Sequence, residues 1–195
     1  LNNIKYESLC GKCRGFFYAC REIRLKSSPK CVIIIVYFIL KLELFFMKDG
    51  FIKVAACTPE IRVADTAFNA EKIIEQMDKC RTAGVKIAVF PELCITGYTC
   101  QDLFYQDTLL DGAMRALANI AKQTAGSDML VAVGCPVRAK GKLYNCAAVL
   151  QNGEVLRFIP KTHLPNYNEF YEARHFAPYR GGSVQVELTQ YFSDD

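Results

Sequence analysis

The sequence predicts an α/β domain with parallel strands, and three observations carry that prediction. From residue 51 a strand, an amphipathic helix and a second strand follow one another, the order that sets neighbouring strands parallel. A second amphipathic helix leads to a further strand, and an Asn152-Gly153 pair joins two more strands as a hairpin. The composition is that of a globular protein, 51% hydrophobic and 23% charged, and 195 residues suffice for one domain with a sizeable core.

In chain order, residues 51–57 (FIKVAAC) read as the first strand, ended by Thr58-Pro59. Asp65 or Asn69 can cap the helix that follows. Its apolar face is Ala70, Ile73, Ile74, Met77 and Cys80, and Gly84 closes it with the residue that best tolerates a left-handed cap. The run Ile87, Ala88, Val89, Phe90 reads as a buried strand between Gly84 and Pro91. Residues 107–125 form the second helix, with Leu110, Ala113, Met114, Leu117 and Ala121 on one face and Gly126 after it. Strands are expected at 128–137, 143–150 and 154–160. No repeat and no low-complexity segment interrupts this pattern.

The net charge is +4, but its distribution speaks against a nucleic-acid partner. Residues 1–46 carry 8 Lys/Arg against 3 Asp/Glu, while the remainder carries 16 against 17. The basic excess belongs to the leader, and no nucleic-acid footprint remains on the body. Of ten cysteines, Cys10, Cys13, Cys20 and Cys31 lie in that leader. Cys10-x-x-Cys13 has zinc-knuckle spacing, yet it has no second pair and no neighbouring His. The other six (Cys57, Cys80, Cys94, Cys100, Cys135, Cys146) fall mostly inside strands or helices and read as reduced core thiols of a cytoplasmic protein.

Residues 1–46 differ in character from the rest. Their apolar run, 31–40, is short for a bilayer span and is interrupted beyond it by Lys41 and Glu43. No small-residue cleavage site follows, so it is not a secretory signal. The leader is therefore expected to be upstream sequence with Met47 as the natural start, giving a leader at 1–46 and a domain at 47–195; a membrane anchor is the competing reading. No membrane partner is expected for the domain.

Two charged residues stand at strand ends. Glu92 follows the apolar run directly, where the carboxyl end of a core strand leaves the sheet. A partly desolvated carboxylate there suits general-base work, although a helix cap or a surface ion pair would place a Glu equally well. Lys161 follows the second hairpin strand. A carboxylate that takes a proton and an ammonium that stabilises negative charge on oxygen together suit acyl transfer. Composition alone would leave Lys161 a solvated lysine.

The stretch PELCITGY around Glu92, with PKTHLPNYNEFYEAR after the hairpin, resembles the nitrilase (carbon–nitrogen hydrolase) superfamily. The continuation Tyr-Thr-Cys-Gln-Asp-Leu-Phe and the stretch Asn-Tyr-Asn-Glu-Phe-Tyr-Glu-x-Arg resemble, more closely, the glutaminase domain of the glutamine-dependent NAD(+) synthetases. The resemblance runs from Lys48 to about Val186. It implies a four-layer α-β-β-α sandwich, incomplete at its C-terminus. It implies Glu92 as general base for a cysteine nucleophile, Lys161 as oxyanion stabiliser with a backbone amide, and Glu169 as the second glutamate that holds the lysine. Tyr167 falls where these synthetases contact glutamine, and no metal is implied in the domain. His163 and His175 match no family role and read as hydrogen-bonded loop histidines.

In that family the nucleophilic cysteine lies on a strand well after the lysine, beyond Asp195, and Cys94 is not its counterpart. The synthetase domain that uses ATP and magnesium would also lie beyond, and no Gly-rich phosphate cradle occurs in these residues. The expectation is thus an N-terminal fragment, silent and poorly soluble by itself. Its complete protein would be an NAD(+) synthase that hydrolyses glutamine, passes ammonia to the synthetase domain and forms a homo-oligomer. A stand-alone amidase or carbamoylase, or a catalytically dead scaffold, are the alternatives.

Overall fold

The amphipathic helices and the strands read from the sequence resolve into one five-stranded sheet with both long helices on the same face. The computed structural model describes residues 51–183 and 185–192. The readings that fall earlier (the Met47 start, the Cys10-x-x-Cys13 pair, the apolar run at 31–40) lie outside the described residues. The elements are β1 (Val54–Ala56), α1 (Thr66–Thr82), β2 (Ile87–Val89), a 3-10 turn (Gln101–Tyr105), α2 (Asp107–Lys122), β3 (Leu130–Ala139), β4 (Lys142–Gln151), β5 (Glu154–Pro160), a second 3-10 turn (Glu172–Arg174) and α3 (Thr189–Phe192).

The strands stand side by side in chain order. β1, β2 and β3 are parallel, and β3, β4 and β5 form an antiparallel meander. Crossovers between parallel strands are right-handed, so strands that advance in one direction put α1 and α2 on the same face. There Ile73, Met77, Ala113, Leu117 and Ile120 pack with Ala88, Val131, Val133, Ala148 and Leu150 in one buried cluster. The opposite face is apolar and open: register aligns Ala56, Val89, Ala132 and Val149 in one row across four strands, and Val54, Val89 and Ile159 are 62%, 48% and 54% exposed. The described residues thus supply one helix layer and one sheet layer of the four-layer sandwich, and the open face is the one a second sheet covers in that architecture.

β1 is shorter than the expected 51–57 because it is an edge strand with one partner. Backbone bonds from Lys86 N to Lys53 O and from Cys57 N to Val89 O, both 2.8 Å, prolong the contact at each end. α2 stops at Lys122 rather than at 125. The buried Thr124 hydroxyl donates to Ala121 O (2.7 Å) and accepts from Gly153 N (2.8 Å), drawing the chain after the helix into turns. The hairpin at Asn152-Gly153 has both residues at positive φ, 50° and 87°, as a two-residue type I′ turn requires. Lys140-Gly141 makes an equivalent turn between β3 and β4, with φ of 48° and 71°.

Of the two candidate caps for α1, Asp65 is the one used: its Oδ1 accepts from Phe68 N at 3.1 Å. Asn69 lies inside the helix, fully buried, and does a different job. Its Oδ1 accepts from Arg62 N (2.7 Å), and its Nδ2 donates to Arg62 O (2.8 Å) and Ile95 O (3.0 Å). One side chain thereby ties the loop before α1 to the turn that carries Glu92. Asn69→Ala removes three hydrogen bonds, the one to Ile95 O buried, and is expected to cost about 1–3 kcal/mol, read as a lower midpoint in urea unfolding. An unchanged midpoint would show that the loop is held by other contacts.

Candidate active site

The site begins where β2 ends. Phe90 N still bonds to Ala132 O of β3 (2.8 Å), and the chain then folds into a tight turn at Pro91–Gly97. Gly97 N and Thr96 N both return to Leu93 O, at 2.8 and 3.1 Å. Leu93 takes a positive φ of 51° and is fully buried, so the turn is held in a shape that most side chains avoid. It rests directly on Gly134 in the middle of β3. A Cβ at Gly134 would lie 2.3 Å from Leu93 N, 2.4 Å from Pro91 O and 2.8 Å from Glu92 C. Only a strand residue without a side chain permits this approach, and Glu92 is placed by it.

Lys161 arrives from the far side of the sheet, one residue past β5. Its backbone N donates to Asn145 O of β4 at 2.8 Å. Its Nζ stands 2.6 Å from Glu92 Oε1 and 2.9 and 3.0 Å from the two oxygens of Glu172. Asn145 Nδ2 joins the group, donating to Glu92 Oε1 at 2.5 Å and to Glu172 Oε2 at 3.4 Å. The Tyr98 hydroxyl donates to Glu172 Oε1 at 2.8 Å. Burial works against the charge of Lys161, but the hydrogen bonds and charges of Glu92 and Glu172 outweigh it and raise its pKa. The ammonium is therefore held in its cationic form. Burial, reinforced by Glu172, pushes the Tyr98 phenol well above its ordinary range, so it remains a donor.

Glu172 is 4% exposed, and the segment after β5 is anchored to keep it there. Arg174 forms a two-pronged pair with Asp102 (2.9 and 3.1 Å), and Phe176 meets Phe104 edge-on at 4.9 Å. Chemically, the centre is an ammonium between two carboxylates, reached from four separate parts of the chain. It can accept a proton at one carboxylate and stabilise an anionic oxygen at the lysine.

A carbon–nitrogen hydrolase family model matches residues 53–191. The chain belongs to the carbon–nitrogen hydrolase family. Over 141 residues it is 40% identical to the glutamine-dependent NAD(+) synthetase of Mycobacterium tuberculosis (strain H37Rv), covering 71% of this chain and 21% of that protein. The Bos taurus protein of that name is 29% identical over 141 residues, 72% of this chain and 20% of its own length. The chain therefore spans about a fifth of the length of these curated relatives. Among solved structures it resembles a glutamine-dependent NAD(+) synthetase from Cytophaga hutchinsonii, with a TM-score of 0.65, 32% identity, and coverage of 70% of this chain and 23% of that one. An amidase from Nesterenkonia shares the fold, with a TM-score of 0.58 at 20% identity, covering 73% of this chain and 54% of that one.

Within this hydrolase framework one sequence-derived position needs correcting. Glu169 does not hold the lysine. It is exposed and forms no ion pair among the described residues, whereas Glu172, three residues on, points inward from the second 3-10 turn and contacts Lys161 directly. Tyr167 is 64% exposed and stacks edge-on with Phe170 at 5.8 Å, beside the group and not in it. Asn145, Glu172, Tyr98 and Gly134 escaped sequence reasoning. The signals were an Asn inside an apolar strand, a Gly inside another, and a second Glu in the same stretch as Glu169.

The histidines are also unlike the expectation. His163 is exposed, and its ring has no hydrogen bond among the described residues. His175 borders a cavity of about 410 Å³ next to Glu172, lined also by Leu93, Tyr98, Phe104 and Phe170. Both its ring nitrogens are buried without a partner. Burial lowers its pKa from the usual 6.5, and Arg174 adds to the effect. The folded protein therefore resists protonation that the unfolded chain accepts, so stability is full above about pH 6.5 and falls as pH drops through the lowered folded value. His175→Phe is expected to shrink the fall in melting temperature between pH 7.5 and pH 5.5. An equal fall in both proteins would rule the histidine out as its source.

The six described cysteines are all free and buried. Cys94, nearest in sequence to Glu92, is 2% exposed, and burial pushes its thiol up to about 12. It is a core residue packed on Gly134, not a reactive thiol. No cluster of three or more His, Cys, Asp or Glu able to hold a metal occurs among the described residues. Among them, no helix is long and apolar enough to cross a membrane.

Proposed function

We propose that these residues form the N-terminal part of the glutaminase domain of a cytoplasmic glutamine-dependent NAD(+) synthetase. The observation that carries this reading is the convergence of Glu92, Lys161 and Glu172 in a carbon–nitrogen hydrolase fold whose curated relatives bear that name. Glu92 takes the proton from a cysteine thiol, and the thiolate attacks the side-chain amide of glutamine. An ammonium has three N–H donors. One serves Glu92, one is shared by the two oxygens of Glu172, and the third is available to the developing oxyanion. Glu92 then returns the proton to the departing nitrogen, releasing ammonia, and the thioester is hydrolysed to glutamate. Tyr167, on the exposed loop beside the group, contacts the substrate.

The buried state of the described thiols supports a nucleophile from the larger part of the relatives' length that these residues do not span. The same holds for the domain that amidates deamido-NAD(+). ATP and magnesium belong to that domain, and no residue here is assigned to them. The complete protein is proposed to be a homo-oligomer.

The test is to express these residues within their complete reading frame and measure glutamate release and NAD(+) formation, with glutamine or with ammonium as nitrogen source. The reading expects NAD(+) from both sources and glutamate from glutamine, unaltered in Cys94→Ser. Hydrolysis of simple amides or carbamoyl compounds without any NAD(+) formation would overturn it in favour of a stand-alone amidase. No hydrolysis at all would favour a scaffold.

A further inference from the structure

The amide of Asn145 and the ammonium of Lys161 deliver their hydrogens to the same atom, Oε1 of Glu92, at 2.5 and 2.6 Å. The other oxygen, Oε2, has no hydrogen-bond partner among the described residues, although the side chain is 42% exposed. We propose that Asn145 is a positioning residue that decides which oxygen of Glu92 accepts the proton: with Lys161 it saturates Oε1 and leaves Oε2 as the base. This rests on the glutaminase reading above.

The placement of Asn145 is over-determined. It is 4% exposed, in register with Pro136 across β3 and β4. Its backbone carbonyl holds Lys161 N at 2.8 Å, so one residue fixes both the lysine's backbone and the glutamate's carboxylate. The orientation of the amide follows from its surroundings: Nδ2 faces Glu92 Oε1 and, at 3.4 Å, Glu172 Oε2, and a reversed amide would set Oδ1 against both carboxylates. A buried amide whose nitrogen meets two carboxylates is costly to keep unless its donors are used. Space alone would be filled as well by leucine.

Two charge-assisted donors occupy the lone pairs of Oε1 and leave Oε2 the accessible acceptor. In the proposed step the S–H bond of the nucleophile breaks as an O–H bond forms at Oε2, and the same proton later passes from Oε2 to the leaving nitrogen. Without the amide, Glu92 can rotate, Lys161 can pair with either oxygen, and the fraction of carboxylates presenting a free, correctly aimed oxygen falls.

The experiment compares the kinetics of glutamine hydrolysis in Asn145→Leu and Asn145→Asp, each in the complete protein. Both are expected to lower kcat by about 10- to 100-fold with KM for glutamine within about twofold. A leucine variant with the unsubstituted kcat would overturn the proposal.

A second measurement needs no substitution at Asn145. One side-chain Nδ2 proton of Asn145 should be shifted downfield in the NMR spectrum, move as Glu92 titrates, and stop moving in Glu92→Gln. A resonance insensitive to pH would also overturn the proposal, even if both Asn145 variants failed to fold. Failure of the underlying reading looks different: Glu92→Gln would then leave glutamine hydrolysis intact.

Discussion

Under the proposed glutaminase function, Glu92→Gln in the complete protein is expected to lower glutamine-dependent NAD(+) formation by about a thousandfold while leaving ammonium-dependent formation within about twofold. General base catalysis of this type contributes 10²–10⁴ in rate. Glutamine at this position still accepts from Asn145 and Lys161 at its oxygen, so the turn and the lysine keep their places. What disappears is the ability to hold a proton. Because one partner of the ammonium is neutralised and the other, Glu172, remains, the lysine is not left as an unpaired buried charge. Stability should therefore change by less than about 1 kcal/mol. The check is a steady-state assay with each nitrogen source, alongside a melting curve. Loss of both activities together would mean that the whole protein was disturbed, and an active variant would remove Glu92 from the chemistry.

Gly134→Ala is expected to damage hydrolysis without touching a charged group. The added methyl would collide with three backbone atoms of the Glu92 turn, at 2.3, 2.4 and 2.8 Å. Backbone does not rotate aside as a long side chain does, so either β3 or the turn must move. β3 is central, bonded to β2 and β4, and the turn is therefore the part that yields. Overpacking of this kind costs about 3 kcal/mol, and a shift of the carboxylate by an ångström can cost about a hundredfold in rate. The expected result is a lower melting temperature together with a loss of glutamine hydrolysis of about a hundredfold. Wild-type stability in Gly134→Ala would mean that the turn is looser than its hydrogen bonds indicate.

Much of the architecture was legible in the sequence because it is governed by local rules. The βαβ order, the apolar faces of α1 and α2 and the Asn152-Gly153 hairpin depend on periodicity and on backbone preference at single residues. The strand–loop positions of Glu92 and Lys161 were legible for the same reason. Strand and helix ends were read less well: β1 lost residues at the sheet edge, and α2 lost its last three to the side chain of Thr124. The choice between Asp65 and Asn69 could not be made from residue type, since both can cap. Packing decided it, because only Asn69 faces Ile95 of the next turn.

The site shows the same division. The sequence by itself determined which charged residues leave the sheet at strand ends, and the motif resemblance paired them. Only the tertiary structure decided which glutamate holds Lys161. Glu169 and Glu172 are three residues apart in one loop, and their difference arises from the 3-10 turn, the Arg174–Asp102 pair and the Phe176–Phe104 contact, the last two of which join residues about seventy apart. Asn145 and Gly134 belong to the same category. Each matters because of the side chain or backbone that a neighbouring strand brings against it, and that proximity is a property of the sheet's register, which no single stretch of sequence contains.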